Sequence, residues 1–191
     1  MEHLRNHKGE RSMVVLRPAD GEDTVAAWKI ALEEHRPVAL ILSRQNIKNL
    51  PTLSEQRREE ALQSQKGAYI VMDSAKPQVV MLASGSEVST LVEGAELLKK
   101  DGVNVRVVNV PSEGLFRDQP KSYQNAVLPA DVTRYGMTSG LPVTLLSLVG
   151  SLENIHGLDH FGYSAPYKVL DAEFGYNGET VYNEVMKLLG K

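Results

Sequence analysis

The stretch from Gln78 to Val110 limits the fold most tightly. Val79-Val80-Met81-Leu82 is an unbroken apolar run of strand length, the pattern of a parallel strand covered on both faces. Ser84-Gly85-Ser86 is a turn with capping serines. A helix then runs to Lys100, with Val88, Leu91, Val92, Ala95 and Leu98 on one stripe. Asp101-Gly102 ends it, because glycine enters the left-handed C-cap conformation without a Cβ penalty. Val103, Val105 and Val107 alternate in a second strand that stops at Pro111. Strand, crossover helix and parallel strand form one βαβ unit. A sheet of this kind must be buried between layers of helix.

A second such unit precedes it. Met13 to Leu16 is a short apolar strand ended by Arg17-Pro18. Asp23 or Thr24 caps a helix reaching about His35, with Val25, Trp28 and Leu32 on one face. Pro37 stops that helix, and Val38 to Leu42 is again a continuous apolar run, expected to be buried on both faces. Residues 46–66 hold Pro51, Ser54 and the charged run Arg57-Arg58-Glu59-Glu60 without a sustained apolar face. They read as a surface linker whose charges are solvated. Ala68 to Met72 is a further strand.

Beyond Pro111 the expected elements are a helix over Pro120 to Leu128, a strand over Val132 to Met137 and a helix or loop over Leu141 to Leu152. A helix over Pro166 to Phe174 and a terminal helix bearing Val181, Tyr182, Val185, Leu188 and Leu189 complete the pattern. The 191 residues hold one domain of ordinary size and a fragment of another. The expected fold class is α/β: a three-layer αβα domain with a mostly parallel sheet over 67–191, a truncated second α/β domain at 1–50, and a linker at 51–66.

Composition removes several functions. Hydrophobic residues make up 42% and charged residues 24%, the balance of a soluble globular protein. A net charge of -3, with no basic run interleaved with aromatics, argues against a nucleic-acid partner. The chain has no cysteine, which excludes disulfides, zinc-thiolate sites, iron–sulfur clusters and cysteine nucleophiles. The polar start, Met1 to Lys8, lacks the apolar core of a signal peptide. No apolar run approaches the roughly 20 residues that span a bilayer. The expected location is cytoplasmic, with no membrane partner.

Few motifs carry chemistry. There is no P-loop, no G-x-S-x-G elbow and no H-E-x-x-H. Ser84-Gly85-Ser86-Glu87 sits at a strand-to-helix turn, where free amides attract anions. A dinucleotide fingerprint needs three spaced glycines, and only Gly85 is present, so an ordinary capped turn is the better reading. His156 and His160, with Asp159 as third ligand, have helical metal spacing, but Gly157 and Gly162 favour a loop with unrelated histidines. Arg44 comes directly after Leu40-Ile41-Leu42-Ser43, at the carboxyl end of an expected parallel strand. Ligands of open sheets bind outside that edge. Its guanidinium suits either a phosphate, held by a two-pronged charge-assisted bond, or a structural ion pair.

Four stretches, in order, resemble one family. Leu16-Arg-Pro-Ala-Asp20, the Ala26-Ala27-Trp28 helix and Ala39-Leu-Ile-Leu-Ser-Arg-Gln-Asn46 resemble the end of the transketolase pyrimidine-binding domain. Lys66-Gly-Ala-Tyr69 and Ala83-Ser-Gly-Ser-Glu-Val88 are similar to the opening of its C-terminal domain. Val107 to Phe116, with Pro111-Ser112 and Leu115-Phe116, resembles the next strand and turn of that domain. Asp159-His-Phe-Gly-Tyr-Ser-Ala-Pro166 with Phe174-Gly175 resembles the family's ending. Residues 135–150 differ from the family's run there.

The resemblance implies the C-terminal section of a thiamine-diphosphate enzyme that transfers two-carbon ketol units between sugar phosphates. The family's Leu-Ser-Arg-Gln arginine contacts the sugar phosphate, which makes Arg44 the one expected site residue. The Gly-Asp-Gly segment and the catalytic segments of the family are missing from this sequence. No catalytic residue and no bound cofactor or metal are therefore expected on this chain alone. Thiamine diphosphate and Mg2+ or Ca2+ are expected in the intact enzyme. The implied partners are the catalytic N-terminal domains and a second copy, in a dimer. The alternatives are a non-catalytic interaction or regulatory module and, from the Ser84–Glu87 turn, a nucleotide-binding domain.

Overall fold

The computed structural model describes residues 12–191, and the reading of Met1 to Lys8 lies outside them. Strands β1 (Val14–Leu16) and β2 (Val38–Leu40) pair in parallel, Val14 opposite Val38 and Leu16 opposite Leu40. Helix α1 (Gly21–Glu33) joins them. Its N-cap is Asp20, three residues ahead of the expected Asp23, and the Asp20 carboxylate accepts the Asp23 N–H at 2.8 Å. The Val25, Trp28 and Leu32 face is 52%, 52% and 81% exposed, whereas Asp23, Ala26 and Ala27 are buried. The opposite face packs because small alanines allow close approach and because the Asp23 carboxylate is fully hydrogen-bonded. Strand β2 is half-buried rather than covered on both faces. Among the described residues its sheet has only two strands, which leaves its outer edge open.

The segment expected as a linker is partly helical. It contains helix α2 (Arg57–Ala61) and a 3-10 turn over Leu62–Lys66. The charged run is not a solvated face: Glu60 is buried, Arg57 is half-buried with its side chain 9% exposed, and only Arg58 and Glu59 face solvent.

The main sheet has five strands: β3 (Tyr69–Met72), β4 (Val79–Ala83), β5 (Val105–Asn109), β6 (Thr133–Met137) and β7 (Ile155–His156). Their order is β3-β5-β4-β6-β7, parallel throughout except for the antiparallel β3–β5 pair. Helix α3 (Glu87–Lys100) crosses from β4 to β5. Helices α4 (Glu113–Arg117), α5 (Lys121–Val127) and α6 (Leu146–Val149) come next, then α7 (Tyr167–Glu173) and α8 (Gly178–Leu188). Alternation along β4 divides the core in two. Val79, Met81 and Ala83 pack with Leu91, Ala95 and Leu98 of α3 and Val181 and Val185 of α8. Val80 and Leu82 point the other way, to Phe116, Val127 and Leu148. This is the expected three-layer αβα arrangement on a mostly parallel sheet.

His156 ties α8 to the edge of this sheet. Its Nδ1 lies 3.0 Å from a Glu184 carboxylate oxygen and its Nε2 lies 2.8 Å from the Phe174 carbonyl. Tyr135 donates to the other Glu184 oxygen at 2.7 Å. Two acceptors require two donors, so the geometry selects the imidazolium. Burial alone lowers the His156 pKa, but the Glu184 hydrogen bond and charge and the Phe174 carbonyl outweigh it, and the net shift is upward. A raised folded-state pKa gives stability that is complete below the unfolded value and is lost as pH rises through the folded one. We expect the His156 ring, followed by NMR, to stay charged above pH 6.5. Glu184→Gln should remove the upward shift; a wild-type ring titrating below its ordinary value would contradict this reading.

Candidate functional site

A cleft of about 710 Å³ lies between the β1–β2 piece and the carboxyl edge of the main sheet. The segment Ile41–Lys48, which continues β2, forms one wall; the first turns of α3 and part of α7 form the other. Arg44 stands on this segment, exposed, and lines the cleft. It makes no hydrogen bond or ion pair among the described residues. The structural ion pair that its sequence position allowed is therefore not found there. Lys48, further along the same wall, reaches only to 3.9 Å from Glu93, with both side chains largely exposed.

Arg17 is the better-anchored cation, and nothing in the sequence marked it beyond its place in a motif. Its guanidinium enters the edge of the main sheet between the ends of β4 and β6. It donates to Glu87 at 2.8 Å and to Ser139 at 2.9 Å, and it lies 3.5 Å from the Ser84 hydroxyl. Glu87 is 4% exposed. The start of α3 is thus already supplied with a carboxylate from its own first turn and a guanidinium from the preceding piece. Ser86, expected as a capping serine, makes no side-chain cap bond. The nucleotide reading of this turn finds no support, because its charges are satisfied within the chain.

The histidine pair does not converge. His156 is committed to Glu184 and Phe174, while His160 bonds the Phe161 carbonyl and sits edge-on to the Phe174 ring. Among the described residues no three His, Cys, Asp or Glu side chains are placed to hold a metal ion.

A buried network fixes the two pieces behind the cleft. Asp23 accepts from Tyr69 at 2.6 Å, from Ser64 at 2.9 Å, from the Ala19 amide at 3.1 Å and from Asn109. Arg57 donates to Asp20 at 2.7 Å and to the Tyr69 hydroxyl at 2.7 Å. Burial, then the Asp23 charge, holds the Tyr69 phenol well above its ordinary pKa, against the opposing pull of Arg57. None of these roles was legible in the sequence, since Arg57 sits in a mixed-charge run that usually marks solvent.

These residues do not fit thiamine diphosphate. A divalent ion on its phosphates needs a cluster of oxygen ligands, and none stands at the cleft among the described residues. The start of α3, which lines the cleft, holds Glu87 and Arg17 rather than standing open to a phosphate. No catalytic step is therefore derived through that group.

Fold and cleft together define an open-sheet α/β protein with a polar cavity at the carboxyl edge of its strands. A family model described as the transketolase-like TK C-terminal domain matches residues 67–177. A transketolase from Geobacillus stearothermophilus is 38% identical over 195 residues, covering 100% of this chain and 29% of the relative. A Pichia stipitis transketolase solved with sedoheptulose 7-phosphate superposes with a TM-score of 0.86 at 30% identity, covering 100% of this chain and 27% of that one. A split-gene transketolase described as an inactive β4 tetramer shares the fold at a TM-score of 0.69 and 19% identity, covering 95% of this chain and 59% of that one. The chain belongs to the transketolase family and matches its C-terminal section. It spans less than a third of the length of the curated relative.

Proposed function

We propose that this chain is the part of a thiamine-diphosphate transketolase that contributes a sugar-phosphate anchor, Arg44, and a non-catalytic C-terminal domain. The observation that carries the reading is Arg44 itself, a guanidinium without a partner among the described residues, facing a polar cleft of about 710 Å³. A planar guanidinium left free at a sheet's carboxyl edge suits bidentate capture of a phosphate monoester. The solved relative in complex with a sugar phosphate supports that chemistry.

On this reading residues 1–50 end the pyrimidine-binding domain, 51–66 link, and 67–191 form the C-terminal domain. The cofactor and its Mg2+ or Ca2+ belong to catalytic N-terminal domains, which are the chain's partners in a cytoplasmic dimer. The exposed Val25, Trp28 and Leu32 face offers those domains an apolar surface. The same face also suits the other reading, a docking or regulatory module without a catalytic role. Ketol transfer from xylulose 5-phosphate to ribose 5-phosphate, assayed with thiamine diphosphate and magnesium, tests the proposal. The pure chain should give no turnover; measurable turnover would overturn it.

A further inference from the structure

We infer that the crevice between the ends of β4 and β6 is a guanidinium socket, and that Arg17 is a positioning residue that plugs it and thereby sets the Arg44 segment. From β4 the chain passes through α3 to β5 on one side, while β6 lies on the other. That reversal is the place where an open α/β sheet ordinarily takes a ligand. Here it takes a side chain of the same molecule.

The socket is built for a fork. One Arg17 nitrogen, Nη2, donates to both Glu87 and Ser139, and the other, Nη1, points to Ser84. These acceptors come from the ends of two different strands and the first turn of α3. A compact ammonium cannot span them. Gly85 makes room for the arginine stem: a Cβ there would sit 2.7 Å from Arg17 Nε, and the residue's φ of +67° suits glycine. The Arg17 backbone is fastened as well. Its amide donates to the Pro111 carbonyl at 2.8 Å, and its carbonyl accepts from Gly85 at 3.2 Å. The neighbouring Leu16 carbonyl accepts from Ile41 at 2.8 Å. The segment bearing Arg44 therefore begins one hydrogen bond away from the plug. This inference does not depend on Arg44 holding a phosphate.

Chemical rescue tests it. Arg17→Ala keeps the backbone bonds but leaves the Glu87 carboxylate buried and unpaired, which is costly. Its Tm should fall by about 5 °C, and amide exchange over residues 38–48 should accelerate about tenfold. Guanidinium chloride at about 20 mM, far below denaturing levels, should restore at least half of both losses. Equal sodium chloride should not, and Arg17→Lys should stay near the alanine variant. Adding Glu87→Gln to Arg17→Ala should abolish the rescue. If Arg17→Ala does not fold on expression, its soluble yield on refolding from urea should rise only with guanidinium. Rescue by sodium chloride, an equal effect of guanidinium on the wild type, or no recovery in either format would overturn the inference.

Discussion

Gly67→Ala should cost about 4 kcal/mol, enough to leave most of the chain unfolded or aggregated. Gly67 closes the 3-10 turn before β3 with a φ of +81°, and its carbonyl accepts the Ser112 amide at 3.0 Å. A Cβ there would overlap the Phe116 nitrogen and the Ser112 carbonyl oxygen and lie 2.7 Å from the Leu115 carbonyl carbon. All of these are backbone atoms, so no rotamer change relieves the clash. The start of α4 must move away from β3, and Phe116 must leave its core. Gly102 is the control. Its φ is +75° but nothing lies within 4 Å of its added Cβ. Gly102→Ala should therefore cost only the left-handed strain, about 1 kcal/mol. Urea midpoints of the two variants measure the difference; similar midpoints would remove the steric account of Gly67.

Asp23→Ala should be the most damaging change at a polar position. It removes the acceptor for Tyr69, Ser64, Asn109 and the Ala19 amide, and it leaves Arg57 with Asp20 as its one carboxylate partner among the described residues. Breaking a buried ion pair from one side costs about 3–5 kcal/mol. In a chain of this size that lowers Tm by roughly 6–20 °C. The loss falls on the junction between α1, α2 and the main sheet. Amide exchange should accelerate first in α1 and α2, while α3 and β4 stay protected. A variant that keeps its Tm within about 2 °C of the wild type, a loss of under roughly 1 kcal/mol, would show that the network is not holding the junction.

Much of the fold was legible because apolar periodicity fixes faces. The stripe from Val88 to Leu98 is buried as expected, and so is the run Val79 to Leu82. What patterning could not resolve was competition between faces. In α1 the apolar face lost to one built from Ala26, Ala27 and Asp23, because long-range partners of Asp23 lie 41, 46 and 86 residues away. Charge runs carry the same ambiguity, since Arg57 is drawn inward by carboxylates that sequence spacing does not reveal. Strand β7 and helix α4 are two and five residues long, too short for any period to register. Of the cleft, Arg44 was readable from its place after a strand. Arg17 was not, because its acceptors stand 67, 70 and 122 residues away in sequence.

The phosphate role proposed for Arg44 is tested most directly by steady-state kinetics in a complete transketolase carrying this section. Losing a charge-assisted bond of about 1.5–3 kcal/mol should raise KM for a phosphorylated ketose donor roughly 10- to 150-fold in Arg44→Ala. The kcat should change little, because the phosphate is bound alike in ground and transition states. An unphosphorylated ketose donor should be used equally well by both proteins. Equal losses with both donors, or an unchanged KM for the phosphorylated one, would contradict the account.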